Sequence, residues 1–198
     1  MLLYDSPVSG NCYKVRLLLA HLGQDYQRRE VDVVDRSGRA ELLGGLNPAL
    51  RVPILVLDDG RPLAESNAIL CYLAGDTPYL PGDRYAWAQV LQWLFFEQYS
   101  HEPNIAVVRF WVAFAAEKPP EAAIASRRRA GYAALDAMEA HLGDRRFLVG
   151  DDYTVADIAL FAYTHLAGEG GFDLGAYPAI GAWLQRVAGR PDHVSISD

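Results

Sequence analysis

The chain has 198 residues, about half of them apolar, and a formal net charge of −7. That length makes one large domain or two small ones, able to bury roughly 70% of the unfolded surface without staples. The acidic balance argues against a nucleic-acid partner, whose affinity rests on cations set against phosphates. No apolar run nears the ~18 residues of a membrane span, so a membrane is not an expected partner either.

The first seventy-five residues alternate between strand and helix signals. "MLLYD" is a short apolar run. Val15, Leu18, Leu19 and Leu22 then fall at i, i+3, i+4 and i+7, one face of a helix, and Gly23 follows as its stop. "REVDVV" alternates apolar and polar, as a half-buried strand does. A short helical piece covers about Arg39 to Gly44. "PILVL" reads as a buried strand, "DDG" at 58–60 as a hairpin turn into "RPLA", and Ser66 as the cap of a helix through Ile69, Tyr72 and Leu73. The order is βαβαββα, with a parallel first pair joined by a right-handed crossover.

Composition then shifts. "GDTPYLPGD" reads as a linker, and everything after it is helical in pattern. Val90, Leu91 and Leu94 mark one face. "KPPE" at 118–121 breaks the chain and starts another helix. "TVAD", Thr154 to Asp157, has the form of a capping box, with Tyr153 and Ile158 placed as a staple. Ile180, Trp183, Leu184 and Val187 give a last stripe. The expected domains are 1–75, a linker 76–83, and a helical domain 84–198.

The two cysteines, Cys12 and Cys71, form no C-x-x-C and no zinc spacing. A reducing, cytoplasmic setting is the simplest reading. The five histidines include no H-x-x-x-H pair, so no metal is expected.

Three fragments of the first domain need one explanation. In "RVP", Pro53 opens the most apolar strand although proline cannot donate to a ladder. A cis bond at Val52–Pro53 would expose the backbone of Val52 to an extended peptide. In "AESNA", the start of a helix is a carboxylate site through its free N–H groups, and Glu65 beside it could accept from an ammonium. Glu65 and Ser66 would together hold an α-amino acid zwitterion. In "SPVSGNC", the hydroxyl of Ser9, or Asn11, could donate to a ligand thiolate at the helix mouth. Lowering a thiol from about 8.5 to about 6.5 needs roughly 2.7 kcal/mol. One hydrogen bond to a charged group supplies ~1.5–3 kcal/mol and the helix end another ~0.3–1. Cys12 is a rival nucleophile whose reactivity depends on its exposure; the same residues could also do no more than cap and fill the helix.

"SPVSGNCYKVRLLL", "LNPALRVPIL" and "LAESNAILCYL" resemble the N-terminal domain of cytosolic glutathione transferases, and "FLVGDDYTVADIAL" resembles the capping box of that family's helical domain. The resemblance covers essentially the whole chain. It implies a thioredoxin-like α/β domain followed by an all-α helical bundle, usually as a homodimer. It also implies glutathione as co-substrate, a small hydrophobic electrophile as second substrate, and a role in detoxification. By position, Ser9 matches the activating serine of theta-like bacterial classes, and Val52, Pro53, Glu65 and Ser66 match glutathione-binding positions. Leu50 stands where the family has a glycine, and Arg51, in place of a glutamine or lysine, could reach the glycyl carboxylate.

The resemblance places the electrophile against the helical domain. Pro103 should kink or break "FFEQYSHEPNIAVVRFW", leaving His101 and Asn104 for a cleft, with Arg109 to steer an anion and Phe110 and Trp111 as an apolar wall. The expected activity is transfer of alkyl or aryl groups to glutathione. The alternatives are a glutathione-dependent disulfide or peroxide oxidoreductase, and a non-catalytic adaptor of the same fold.

Overall fold

The computed structural model describes residues 1–198. It divides into two compact units, Met1–Gly75 with Pro191–Asp198, and Asp76–Arg190.

The first unit contains β1 (Leu2–Asp5), α1 (Gly10–His21), β2 (Gln27–Glu30), α2 (Arg39–Leu43), β3 (Ile54–Val56), β4 (Pro62–Ala64) and α3 (Ser66–Leu73). The sheet runs β2-β1-β3-β4. β1 and β2 are parallel, with Leu2 opposite Gln27, and β3 is antiparallel to both β1 and β4. This is the thioredoxin-like α/β layer. Because side chains alternate along a strand, the sheet has two cores. Leu3 and Leu55 join Val15, Leu19 and Ile69 on one face. Tyr4 and Ile54 join Val31 and Leu43 on the other.

β2 lies earlier than the alternation in "REVDVV" suggests. Its four residues, "QRRE", are all exposed. Backbone pairing to β1 makes it an edge strand, and only Val31, just beyond it, is buried.

Helix α1 is buried on nearly every side rather than along one stripe: all residues from Cys12 to Leu19 are covered. It packs against α3, and the chain's last residues lie along it. Tyr13 donates its hydroxyl to the carbonyl of Val194 (2.8 Å) and Arg16 donates to that of Ile196 (2.9 Å). Asp5, itself buried, holds Arg28 at 2.7 Å and lies 3.5 Å from Arg16, and Arg28 reaches the carbonyl of Asp198 at 2.6 Å. Residues 191–198 therefore belong to the first unit and not, as expected, to the helical one.

The second unit is all-helical: α4 (Arg84–Phe96), a π-turn (Glu97–His101), α5 (Glu102–Ala113), α6 (Glu121–Leu142), α7 (Val155–Thr164), a 3-10 turn (Ala167–Gly170) and α8 (Pro178–Ala188). The expected linker is part of this unit, since Val155 donates to the carbonyl of Tyr79 at 2.9 Å. All ten residues of α7 are buried. At roughly 1.5–3 kcal/mol for each large apolar side chain, this central helix organises the bundle. Its start is the capping box: Thr154 caps the helix and Asp157 returns to the Thr154 amide at 3.0 Å. Asp157 also accepts from Leu148 N and from the Trp183 indole, each at 2.9 Å. One carboxylate thus fixes α7, the preceding loop and α8.

Candidate functional site

Ser9 ends the β1–α1 turn and is the N-cap of α1. Its backbone is extended and its hydroxyl oxygen accepts from the amide of Cys12 at 3.3 Å. That bond uses a lone pair of the hydroxyl oxygen. Ser9 and Asn11 are both half-buried, sharing the helix's first turn, where the dipole favours an anion.

Cys12 does not share that position. It is completely buried, and burial pushes its thiol up to about 12, with the charge of Asp5 adding to the rise and hydrogen bonds from Ser9 and Ser6 opposing it. A thiol so placed stays protonated at neutral pH and cannot act as the nucleophile considered from the sequence. Cys71 is half-buried, and burial raises its thiol too.

On the neighbouring loop, Asn47 braces the approach to β3: its side chain donates to the carbonyl of Arg51 and accepts from the amide of Ala49, both at 3.0 Å. Leu50 has φ 53, a left-handed conformation that explains why glycine suits this place. Its side chain packs against the core of Tyr4, Leu43 and Ile54. The Val52–Pro53 bond is cis. Pro53 is buried and Arg51 exposed. The ladders of β3 begin at Ile54, so the amide and carbonyl of Val52 lie beyond them.

Glu65 and Ser66 follow β4. Ser66 is the first helical residue of α3, and the cap position belongs instead to Glu65, whose side chain makes no cap bond. Glu65 is exposed and sits at φ 70, ψ 115. For a residue with a Cβ this conformation costs on the order of 1–3 kcal/mol, and such outliers gather where a ligand is held.

Ser66 is buried and donates to Oδ1 of Asn11 at 3.3 Å. The start of α1 and the start of α3 thus touch through two side chains. Beneath them lies a residue the sequence reading passed over. Lys14 is completely buried, with its ammonium 3.3 Å from Ser66 Oγ and 3.4 Å from Asn67 Oδ1. The visible signal was a cation inside the apolar run "NCYKVRLLL".

The helical-domain candidates are engaged within their own unit. His101 is completely buried in the π-turn. Thr164 gives its hydroxyl hydrogen to the carbonyl of Leu160 (2.7 Å), so it accepts from Nε2 of His101 (2.9 Å). Arg109 is buried, pairs with Glu169 at 2.8 Å and lies over the ring of Phe114. Asn104 donates to the carbonyl of Ser100 at 2.7 Å. Pro103 sits in the first turn of α5, where it is tolerated; the irregularity falls in the π-turn ahead of it. His101 and Arg109 therefore serve as buried structural links rather than the cleft groups expected. Phe110 stacks on Phe114, and Arg127 covers Trp111.

The family model described as glutathione S-transferase, N-terminal domain, matches residues 8–75, and that of the C-terminal domain matches residues 101–191. The chain is 32% identical to glutathione S-transferase 3 of Zea mays, over 96% of its own length and 89% of that protein. It is 30% identical to the disulfide-bond oxidoreductase YfcG of Escherichia coli strain K12, over 96% of this chain and 90% of that one. Among solved structures, a glutathione S-transferase from Pseudomonas fluorescens Pf-5 superposes with a TM-score of 0.94 at 47% identity, covering 100% of this chain and 98% of the other.

Proposed function

We propose that this chain, which belongs to the glutathione S-transferase family, binds glutathione along the cis-proline edge of its first unit and activates the tripeptide's thiol. The observation that carries the reading is the contact between Ser66 and Asn11. It joins a helix start suited to a carboxylate to a helix start suited to a thiolate. The γ-glutamyl carboxylate meets the first amides of α3 and Ser66, its ammonium meets Glu65, and the cysteinyl backbone pairs with Val52. Arg51, exposed beside it, is the cation for the glycyl carboxylate.

The thiol loses its proton to solvent as the sulfur anion settles at the mouth of α1, with Ser9 and Asn11 as donors. The sulfur then attacks an electrophilic carbon: an S–C bond forms, the bond to the leaving group breaks, and that group departs with the electron pair. The favoured activity is this transfer to small hydrophobic electrophiles in a reducing, cytoplasmic setting. The similarity to YfcG favours disulfide reduction as the second reading. In that case glutathione supplies the sulfur, because Cys12 is sealed in the core.

A homodimer accords with the exposed aromatics on and just after α4: Tyr85 (73% exposed), Phe95 (68%) and Tyr99 (86%). Tyr85 and Tyr99 are separated by two heptads, a spacing that keeps side chains on one helix face.

Calorimetry with glutathione, followed by ultraviolet titration of the bound thiol, tests the proposal. Micromolar binding and a thiol lowered toward neutrality are expected. Absence of binding refutes it. Ser9→Ala and Asn11→Ala apportion the thiolate's donors, and a disulfide-exchange assay separates the two activities.

A further inference from the structure

We propose that Asn47 is a positioning residue: by holding the carbonyl of Arg51 it sets the direction of the Val52 N–H that pairs with the bound tripeptide. The proposal rests on the glutathione reading for its ligand, but the lock itself is present in the protein alone.

Asn47 is buried, and its own amide donates to the carbonyl of Leu43 at the end of α2 (2.8 Å). From that anchor it closes the loop that follows. Its main-chain carbonyl accepts from Leu50 N at 2.9 Å. Its Oδ1 accepts from Ala49 N and its Nδ2 donates to the carbonyl of Arg51, both at 3.0 Å. A backbone N–H only donates and a carbonyl only accepts, so the two ends of the carboxamide cannot change places. The position calls for a short side chain with an acceptor on one arm and a donor on the other. Ionised aspartate keeps the acceptor and loses the donor.

The lock lies where no regular element holds the chain. α2 has ended at Leu43, and the ladders of β3 begin only at Ile54. Between them Leu50 sits at φ 53, which is disfavoured for a residue with a Cβ, and the bond from its amide to Asn47 keeps it there. The carbonyl of Arg51 and the N–H of Val52 share one peptide unit, and that unit is trans. It is planar, with the two groups pointing in opposite directions. Fixing the carbonyl on Asn47 therefore fixes the Val52 N–H on the far side of the same plane. Without the Nδ2 donor the plane is free to turn, and the N–H turns with it.

The test compares wild type with Asn47→Asp, following backbone amides by NMR as glutathione is added. In wild type the Val52 amide should shift downfield and become protected from exchange. In Asn47→Asp that response should fall to about half or less, while the Glu65 and Ser66 amides respond as in wild type. Affinity should weaken about tenfold, as for a lost hydrogen bond to a well-placed partner. KM should rise by a similar factor with kcat within about twofold of wild type, the mark of lost binding rather than lost thiol activation.

A folded Asn47→Asp protein whose Val52 amide responds as in wild type overturns the proposal. So does a variant in which kcat falls and KM stays. Should the variant not fold, exchange in ligand-free wild type decides: the amides of Ala49 and Leu50 should be protected although Ala49 is exposed, and rapid exchange of either refutes the lock. In wild type, a response at Glu65 and Ser66 without one at Val52 defeats this role alone. No response at any of the three defeats the glutathione reading itself.

Discussion

The phenol of Tyr13, in the first turns of α1, donates to the carbonyl of Val194, 181 residues further along the chain, at 2.8 Å. Burial pushes that phenol well above its ordinary value, so it remains a donor across the neutral range. Tyr13→Phe removes the donor and leaves the carbonyl short of a partner. A loss of about 1–2 kcal/mol is expected, read from urea unfolding. Deleting residues 191–198 should cost more, because Arg16 loses its bond to Ile196 as well.

Asp157 sets a pH dependence of stability. Burial pushes its carboxyl up from 3.8 to about 6, against hydrogen bonds from Thr154, Leu148 and Trp183. The folded protein therefore binds this proton more tightly than the unfolded chain. The resulting stabilisation is complete below about pH 4 and is lost as pH rises through about 6. About two units correspond to roughly 3 kcal/mol. Asp157→Asn should lower stability at every pH, since its NH2 opposes the Thr154 amide, and should flatten the change between pH 4 and 6. Denaturant unfolding at several pH values checks both; an unaltered slope would remove Asp157 from the account.

Glu65 holds its place at the head of α3 at a cost in stability. At φ 70 its backbone sits where glycine is comfortable. Glu65→Gly should relieve strain on the order of 1–3 kcal/mol, partly offset by about 0.5–1 kcal/mol of extra chain entropy. A higher melting temperature with weaker glutathione binding is expected. A variant that gains stability and keeps full affinity would show that the carboxylate is not the ammonium's partner.

Cys12 should be silent. With its thiol near 12 and no exposed surface, it should resist a thiol reagent at pH 8 until the protein is unfolded, leaving Cys71 as the slow native reactant. Cys12→Ala should retain glutathione-dependent turnover. Loss of turnover in a folded Cys12→Ala protein would return a protein thiol to the mechanism.

Gly131 admits no side chain. A Cβ there would lie 2.6 Å from Cε1 of Phe172. The ring is buried against Tyr132 at 5.2 Å between centroids, so it has little room to yield. Gly131→Ala should destabilise the helical unit by about 1–3 kcal/mol, measurable as a fall in melting temperature.

The order of elements in the first seventy-five residues was legible because each core strand or helix carries its own apolar period. β2 was not, because its exposed residues are held by backbone pairing, which leaves no side-chain signature. The C-terminal strap was invisible for a related reason. Its bonds to Tyr13, Arg16 and Arg28 end on main-chain carbonyls, and every residue has one. Pro53 could be singled out because proline cannot donate to a ladder; that Glu65, not Ser66, takes the cap position of α3 could not. Lys14 could not, since a charge in a helix is ordinarily solvated and only the surrounding packing shows otherwise. His101 was misassigned because Pro103 drew attention from the π-turn, which no residue pattern announced.

The strap formed by residues 191–198 bears on how the chain is made. Translation delivers β1 and α1 first and Val194 and Ile196 only after the entire helical unit. At about 5–20 residues per second, that interval is on the order of ten seconds. Until the ribosome has passed those codons, Tyr13 and Arg16 have no carbonyls to meet, so the first unit to emerge is the last to be completed.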